Sequence, residues 1–291
     1  MKRPSWDHSA QIIIKGVNGA TWHVSGPECG REGVELAEDP DGLHDEAPFK
    51  GIWQSGAFQD GASFLGYTVD PIDLVLGFDI FPEEQSWEYI EAMFYASFSP
   101  EKQSEIVFNS DGEQRSLFVQ KLEKTRTTSK KDPRLLQWSK MLLTLRAKNP
   151  FWQGDTITRN LAFDSTGTKQ IIVENPTDTA MWLQWVVTAP GKWTLPDNDL
   201  TGEADRYRYI HTPPLSSGQD LTIDTHPLHE SYVAADGSNV AGRFNGVEFL
   251  YPIPPHTPPT ALDIGYTGDQ PGACQVRMVQ QWQRPWGGRV Q

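Results

Sequence analysis

What most constrains this chain is the rhythm of its apolar residues. Short runs rich in Val, Ile, Leu, Phe and Trp follow one another from end to end, broken by Gly, Pro, Asn and Asp, and one segment alone has convincing helical spacing. Gln11 to Lys15 reads as a strand that turns at Asn18-Gly19 into Thr21 to Val24. Phe58 to Tyr67 and Ile72 to Phe81 follow; in the second, the aspartates are expected to face away from the buried side. The helix is expected to start at a Ser86 cap, to carry Trp87, Ile90, Met93 and Phe94 inward, and to stop at Ser99-Pro100. Ser104 to Phe108 and Arg115 to Lys121 flank the turn Asn109–Glu113, and Leu135 to Lys148 predicts a long strand through Leu136, Trp138, Leu142 and Leu145.

The pattern changes around Asn149–Thr156. Beyond it strand signals recur without a helical period, at Ile157–Phe163, Gln170–Glu174, Met181–Thr188, Tyr207–His211, Asp220–Asp224, Arg243–Phe249 and Gln275–Gln283. Evenly spaced short strands with Pro and Gly turns are the mark of a sandwich or jelly roll. The expected class is all-β, with two β-sandwich domains: residues 1–152, with one flanking helix, and residues 153–291.

Charge excludes some functions and suggests another. The net charge is −13, and counterion-release binding to nucleic acid needs clustered Lys and Arg, so the chain as a whole is a poor nucleic-acid binder. The charge is also uneven. From Glu28 to Glu46 there are eight acids against Arg31, whereas from Lys121 to Lys148 there are nine bases against Glu123 and Asp132. Each cluster reads as a solvated loop, or as half of a subunit contact in which opposite signs fix the register. Cys29 and Cys274 are too few and too far apart for a disulfide framework or a zinc knuckle, and fit folding in a reducing cytoplasm. Ile12-Ile13-Ile14 is too short for a signal-peptide core, and no stretch approaches a membrane span of about 18 apolar residues.

No catalytic constellation stands out, and neither a cofactor nor a metal is expected. His226-Pro227-Leu228-His229-Glu230 is the best metal candidate, but the histidines sit in an apparent turn and not on a helix. Asp39-Pro40-Asp41-Gly42 lacks the ligand spacing of a calcium loop and reads as a β-turn. Glu83-Glu84 suits the positive end of the helix that follows. There is no Gly-x-Ser-x-Gly elbow and no phosphate-binding loop. A second reading is carbohydrate binding through the aromatic cluster Trp182, Trp185 and Trp193. Trp182 and Trp185 must face opposite sides of a strand, so only one of them can join an exposed platform; Trp182 and Trp193 are the candidates for glycan contact, and the preferred reading is that these rings fill the sandwich core.

Several segments, in order, resemble the distal tail protein family of long-tailed bacteriophages, often labelled minor tail protein. They are Asp79-Ile80-Phe81-Pro82 leading into the helix, the turn Asp111-Gly112-Glu113-Gln114-Arg115, and the stretch Leu143-Thr144-Leu145-Arg146-Ala147-Lys148-Asn149-Pro150-Phe151-Trp152. Gly218 followed by Leu221-Thr222-Ile223-Asp224-Thr225, and the Arg- and Trp-containing exit from Val276 to Trp286, complete the likeness. The acidic stretch Pro27–Phe49 and the Pro-rich Tyr251–Pro259 depart from the pattern.

The resemblance implies a non-enzymatic virion protein of the tail tip, made in the host cytoplasm. Its N-terminal domain would be tail-tube-like and its C-terminal domain galectin-like. Six copies would form a ring joining the tail tube protein to the tape measure protein and to a tail-associated, lysin-type hub protein. Genomic DNA would pass through the centre without specific binding, and no membrane is involved. The expected ring contacts are Glu35, Asp41, Trp87, Lys130, Lys131, Arg134 and Trp138.

Overall fold

The computed structural model describes residues 10–110, 112–201 and 207–288. The stretch Met1–His8 and Asp111 of the hairpin motif lie outside the described residues. Among the described residues strands dominate the regular structure, joined by turns and loops, with two short α-helices and a 3-10 turn. It forms two compact units: Met1–Gly154 with Gln283–Gly287, and Asp155–Trp282 with Gly288–Gln291. The return of Gln283–Gly287 to the first unit is a feature that a single boundary at residue 152 does not contain.

In the first unit β1 (Gln11–Lys15) pairs with β2 (Thr21–Ser25) through a turn whose Gly19 has φ +82°. After β3 (Val34–Leu36), β4 (Phe49–Gln54) and β5 (Ser63–Val69) comes β6 (Ile72–Ile80), then the helix α1 (Trp87–Tyr95). Ser86 caps α1 as expected, its side chain accepting from the Tyr89 N–H. Then follow β7 (Ser104–Ser110), β8 (Glu113–Lys121), β9 (Arg126–Thr128), the one-turn helix α2 (Pro133–Leu136) and β10 (Ser139–Ala147). Strand β10 is therefore shorter than the expected Leu135–Lys148 strand. Asp132 caps α2, Pro133 occupies its first turn, and Gln137 adopts φ +51°, so the chain turns before Trp138.

Two antiparallel sheets, β2-β1-β7-β8 and β3-β6-β10-β9, build this unit, and β8 also touches β10 at Leu145 and Arg146. Alternation decides what is buried. Leu74, Leu76 and Phe78 of β6 lie opposite Leu145, Leu143 and Met141 of β10, all in the core, while Asp73 and Asp79 face the other way. The helix closes this core with Phe94 edge-on to Trp22 (5.3 Å) and Phe78 (4.9 Å).

The chain passes into the second unit within β11 (Trp152–Phe163). That unit contains β12 (Gly167–Asn175), β13 (Leu183–Val187), β14 (Lys192–Pro196), β15 (Tyr209–His211), β16 (Leu221–Asp224), β17 (Tyr232–Ala234), β18 (Thr257–Thr267) and β19 (Gly272–Trp282). Sheets β17-β16-β13-β19 and β12-β18-β14-β15 face each other across one apolar core containing Trp185, Trp193, Ile223, Ile264, Tyr266 and Val276. The all-β reading holds. The expected strand Arg243–Phe249 does not form: Ala241–Phe244 is a 3-10 turn, and Asn245 and Gly246 have φ +54° and +73°.

Candidate interaction surfaces

The sheet β3-β6-β10-β9 ends in two short strands of opposite surroundings. Edge strand β3 carries the exposed Glu35 within the acidic segment, and the exposed Asp41 beyond it forms a backbone bridge with Val75 of β6. At the other edge, β9 presents Arg126, with Lys124, Lys130, Lys131 and Arg134 close by in sequence and all exposed. Arg146 of β10 and Asp73 of β6 make a bidentate pair (2.6 and 2.7 Å) on the outer face. The hydrogen bonds from Arg146 lower the Asp73 pKa against a smaller opposing effect of burial, with charge attraction adding to the lowering.

The expected contact residues divide. Glu35, Asp41, Lys130, Lys131, Arg134 and Trp138 are surface residues, Trp138 being 37% exposed. Trp87 is not: it is buried beneath α1, and its indole donates to Ser139 Oγ at 3.2 Å. Its place at the start of an amphipathic helix turns it into the core, which corrects its assignment as a ring contact.

A larger apolar surface was not foreseen. Strands β4 and β5 form a separate two-stranded sheet whose residues are almost all exposed, including Phe49, Ile52, Trp53, Phe64, Leu65 and Tyr67. Trp53 and Phe64 lie 5.0 Å apart between ring centres, and Phe58 at the tip is fully exposed. A signal for the hairpin was present. Two aromatic runs flank Ser55-Gly56 and Asp60-Gly61, whereas a strand from Phe58 to Tyr67 assigns the turn to the strand. An isolated two-stranded ribbon is marginal in water, and an apolar patch of this kind marks a contact surface.

In the second unit the candidate glycan pair is not upheld as a platform. Trp193 is completely buried against Phe163 and Tyr266, because its neighbours Lys192 and Thr194 take the outer face of β14. Trp185 is likewise core, while Trp182 is half-buried, with its ring 5.8 Å from that of His226. His226 and His229 stack at 4.3 Å. The Leu228 N–H donates to His226 Nδ1 (3.2 Å), and His229 Nδ1 lies 3.0 Å from Asp224. Nδ1 of His226 is thus held as an acceptor, which places the proton of the neutral ring on Nε2. A metal at Nε2 would have to displace that proton. Among the described residues no group of three or more His, Cys, Asp and Glu is set to hold a metal ion, and both cysteines are free thiols.

A shallow cleft of ≈ 420 Å³ lies on the outer face of the β12-β18-β14-β15 sheet, lined by Thr168, Thr194, Tyr209, His211, Asp263 and Gly265 among others.

Comparison with known proteins gives two consistent likenesses. The chain is 26% identical over 334 aligned positions to the minor tail protein Gp27 of Mycobacterium phage D29, covering 95% of this chain and 98% of that one. The likeness to Gp27 of Mycobacterium phage L5 has the same identity and extent. Among solved structures, the Dit protein (gp 19.1) of phage SPP1, described as a paradigm of the hub adsorption apparatus in phages infecting Gram-positive bacteria, matches with a TM-score of 0.59 at 11% identity. That match covers 93% of this chain and 98% of that protein. No family model matches the chain. The chain is similar over nearly its whole length to phage minor tail proteins and has the fold of a distal tail protein, as the motif resemblance implied. Neither minor tail protein is named for a catalytic activity.

Proposed function

We propose that this protein is a structural component of a phage virion, placed at the distal end of the tail, where copies of its first unit join head to tail into a six-membered ring. The observation that carries the ring is the β3-β6-β10-β9 sheet, acidic along its β3 edge and basic around its β9 edge. A heterologous contact that matches one edge to the other leaves neither exposed once the ring closes, and complementary charge selects the register. The exposed β4–β5 hairpin supplies the apolar area that a surface charge contact lacks. In this reading the ring joins the tail tube to tape measure and tip hub proteins, leaves a central channel for DNA, and has no catalytic task.

Light scattering with negative-stain imaging tests it. The expected particle is an open ring of about six times the 32.7 kDa chain mass. Reversing Lys130, Lys131 and Arg134 to Glu is expected to shift the population to single chains at the same concentration. Unaltered rings in the triple variant would remove the edge contact from the proposal, and a strict monomer at every concentration, with or without the neighbouring tail proteins, would remove the ring.

A further inference from the structure

We propose that the cleft on the outer face of the β12-β18-β14-β15 sheet binds a neutral carbohydrate, with Asp263 as its main acceptor and Tyr209 as its aromatic wall. The inference concerns the second unit and does not depend on ring formation.

The register builds the cleft. Thr168 of β12 lies opposite Gly265 of β18, Gly265 opposite Thr194 of β14, and Thr194 opposite His211 of β15, so these four positions form one row across the sheet. Gly265, Thr194 and His211 belong to the outward set, since their chain neighbours Trp193, Leu195, Ile210, Ile264 and Tyr266 are buried, and Thr168 shares that face by alternation from the buried Ile171 and Val173 of β12. Gly265 leaves the centre of that row without a side chain. A Cβ there would come within 3.0 Å of Thr194 Cβ, so the floor is as low as the sheet permits.

One pleat further along, Asp263 stands opposite Gln170, whose amide donates to its Oδ1 at 3.0 Å. That bond orients the carboxylate, and Oδ2 has no protein partner among the described residues. Thr194 Oγ1 and His211 Nδ1 are 2.9 Å apart and hold each other in place. Tyr209, 39% exposed, stands on the same outward face two residues before His211 on the edge strand β15.

This lining selects a chemical class. A fixed carboxylate accepts hydrogen bonds from two adjacent hydroxyls, and threonine and imidazole groups complete a pattern suited to a polyol. The Tyr209 ring gives an apolar surface on which the C–H face of a sugar can lie. Among the described residues the lining contains one carboxylate and no Lys or Arg, which disfavours phosphate, sulfate and nucleic acid. The floor is glycine and threonine, which gives a lipid chain nothing apolar to enter. The volume lies within the range of about 300–1,000 Å³ common to small-ligand sites.

An array of immobilised neutral and acidic oligosaccharides, probed with the full chain and with Asp263→Asn and Tyr209→Ala, decides the matter. Asp263→Asn keeps the oxygen that Gln170 holds, and Tyr209 is a surface residue, so both variants are expected to keep the native circular dichroism spectrum. The expected result is retention of neutral glycans by the native chain and at least tenfold weaker retention by each variant. Failure of the native chain to retain any neutral glycan, retention of acidic glycans alone, or unchanged affinity in either variant overturns the proposal. Particle mass, measured on the same samples, reports separately on the ring.

Discussion

At the scale of single residues, the second unit is organised by polar groups whose partners lie far away in sequence. Asp197 is buried; it pairs with the Arg208 guanidinium and accepts from the Leu250 and Tyr251 N–H groups at 3.1 Å. Asn175, also buried, donates to the carbonyls of Thr179, Ile253 and Pro254. These two side chains fix the path of the Pro-rich tract Tyr251–Pro259, and nothing in local sequence announces them. The two readings open for the aromatic residues have a related cause. Trp87 and Trp193 are of a type equally suited to a contact surface and to a core, and only the facing element decides between them.

The His226 imidazole gives a prediction at this scale. Burial lowers its pKa, the neighbouring His229 lowers it further, and the Asp224 carboxylate opposes both. A lowered folded-state value means that the unfolded chain binds the proton more readily. This residue's contribution to stability is then full above the ordinary imidazole value of about 6.5. It is lost as pH falls from there through the lower folded value, and is constant below it. Histidine proton resonances followed from pH 8 to pH 4 should place the His226 midpoint below that of a free imidazole. The Leu228 amide should shift with the same midpoint, because protonation at Nδ1 removes its acceptor. A midpoint at or above the ordinary value would refute this.

At the scale of elements, alternation was legible where strands are long and one-sided. β1, β2 and β6 appear at or within a residue of the expected bounds, and α1 begins at the expected cap. Most of the strands that escaped have physical reasons, β14 (Lys192–Pro196) excepted. β3, β9 and β17 are three residues each, too short for a period, and β18 begins Thr257-Pro258-Pro259, inside the tract that reads as loop. The hairpin β4–β5 escaped because neither of its faces is buried, so it has no inside to alternate with. That property supports a prediction. Since Trp53 and Phe64 contact little of the folded chain, replacing both with Ser is expected to change the melting temperature by less than about 2 °C. The same variant should lose assembly at concentrations where the native chain forms rings. A large loss of thermal stability would show that the hairpin belongs to the core of its own chain, and unchanged assembly would exclude it from the contact.

At the scale of the whole molecule, each of the two units has its own core, and the chain visits the first one twice. The second visit is short but well anchored. Arg115, only 2% exposed, donates to the carbonyls of Arg284 (2.9 Å) and Gly287 (2.7 Å) as well as to Glu113. Trp286 lies 5.4 Å from Phe108 and 5.1 Å from His44 between ring centres. The Arg- and Trp-rich exit was legible as a motif; its role as a strap on the first unit was not, because the buried guanidinium that holds it is 169 residues away. Ending the chain at Trp282 takes two acceptors from a buried cation, and hydrogen bonds to charged groups contribute about 1.5–3 kcal/mol each. Partial resolvation of Arg115 offsets some of this, leaving an expected loss of about 2–4 kcal/mol, or roughly 5–10 °C for a unit of this size. Calorimetry of the truncated chain should therefore show the transition of the first unit moved down by that amount. The second unit loses Gly288–Gln291 but no residue of its apolar core, so its transition should stay within about 2 °C. If both transitions fell together, the strap would be serving the second core as much as the first, and its assignment to the first unit would be wrong.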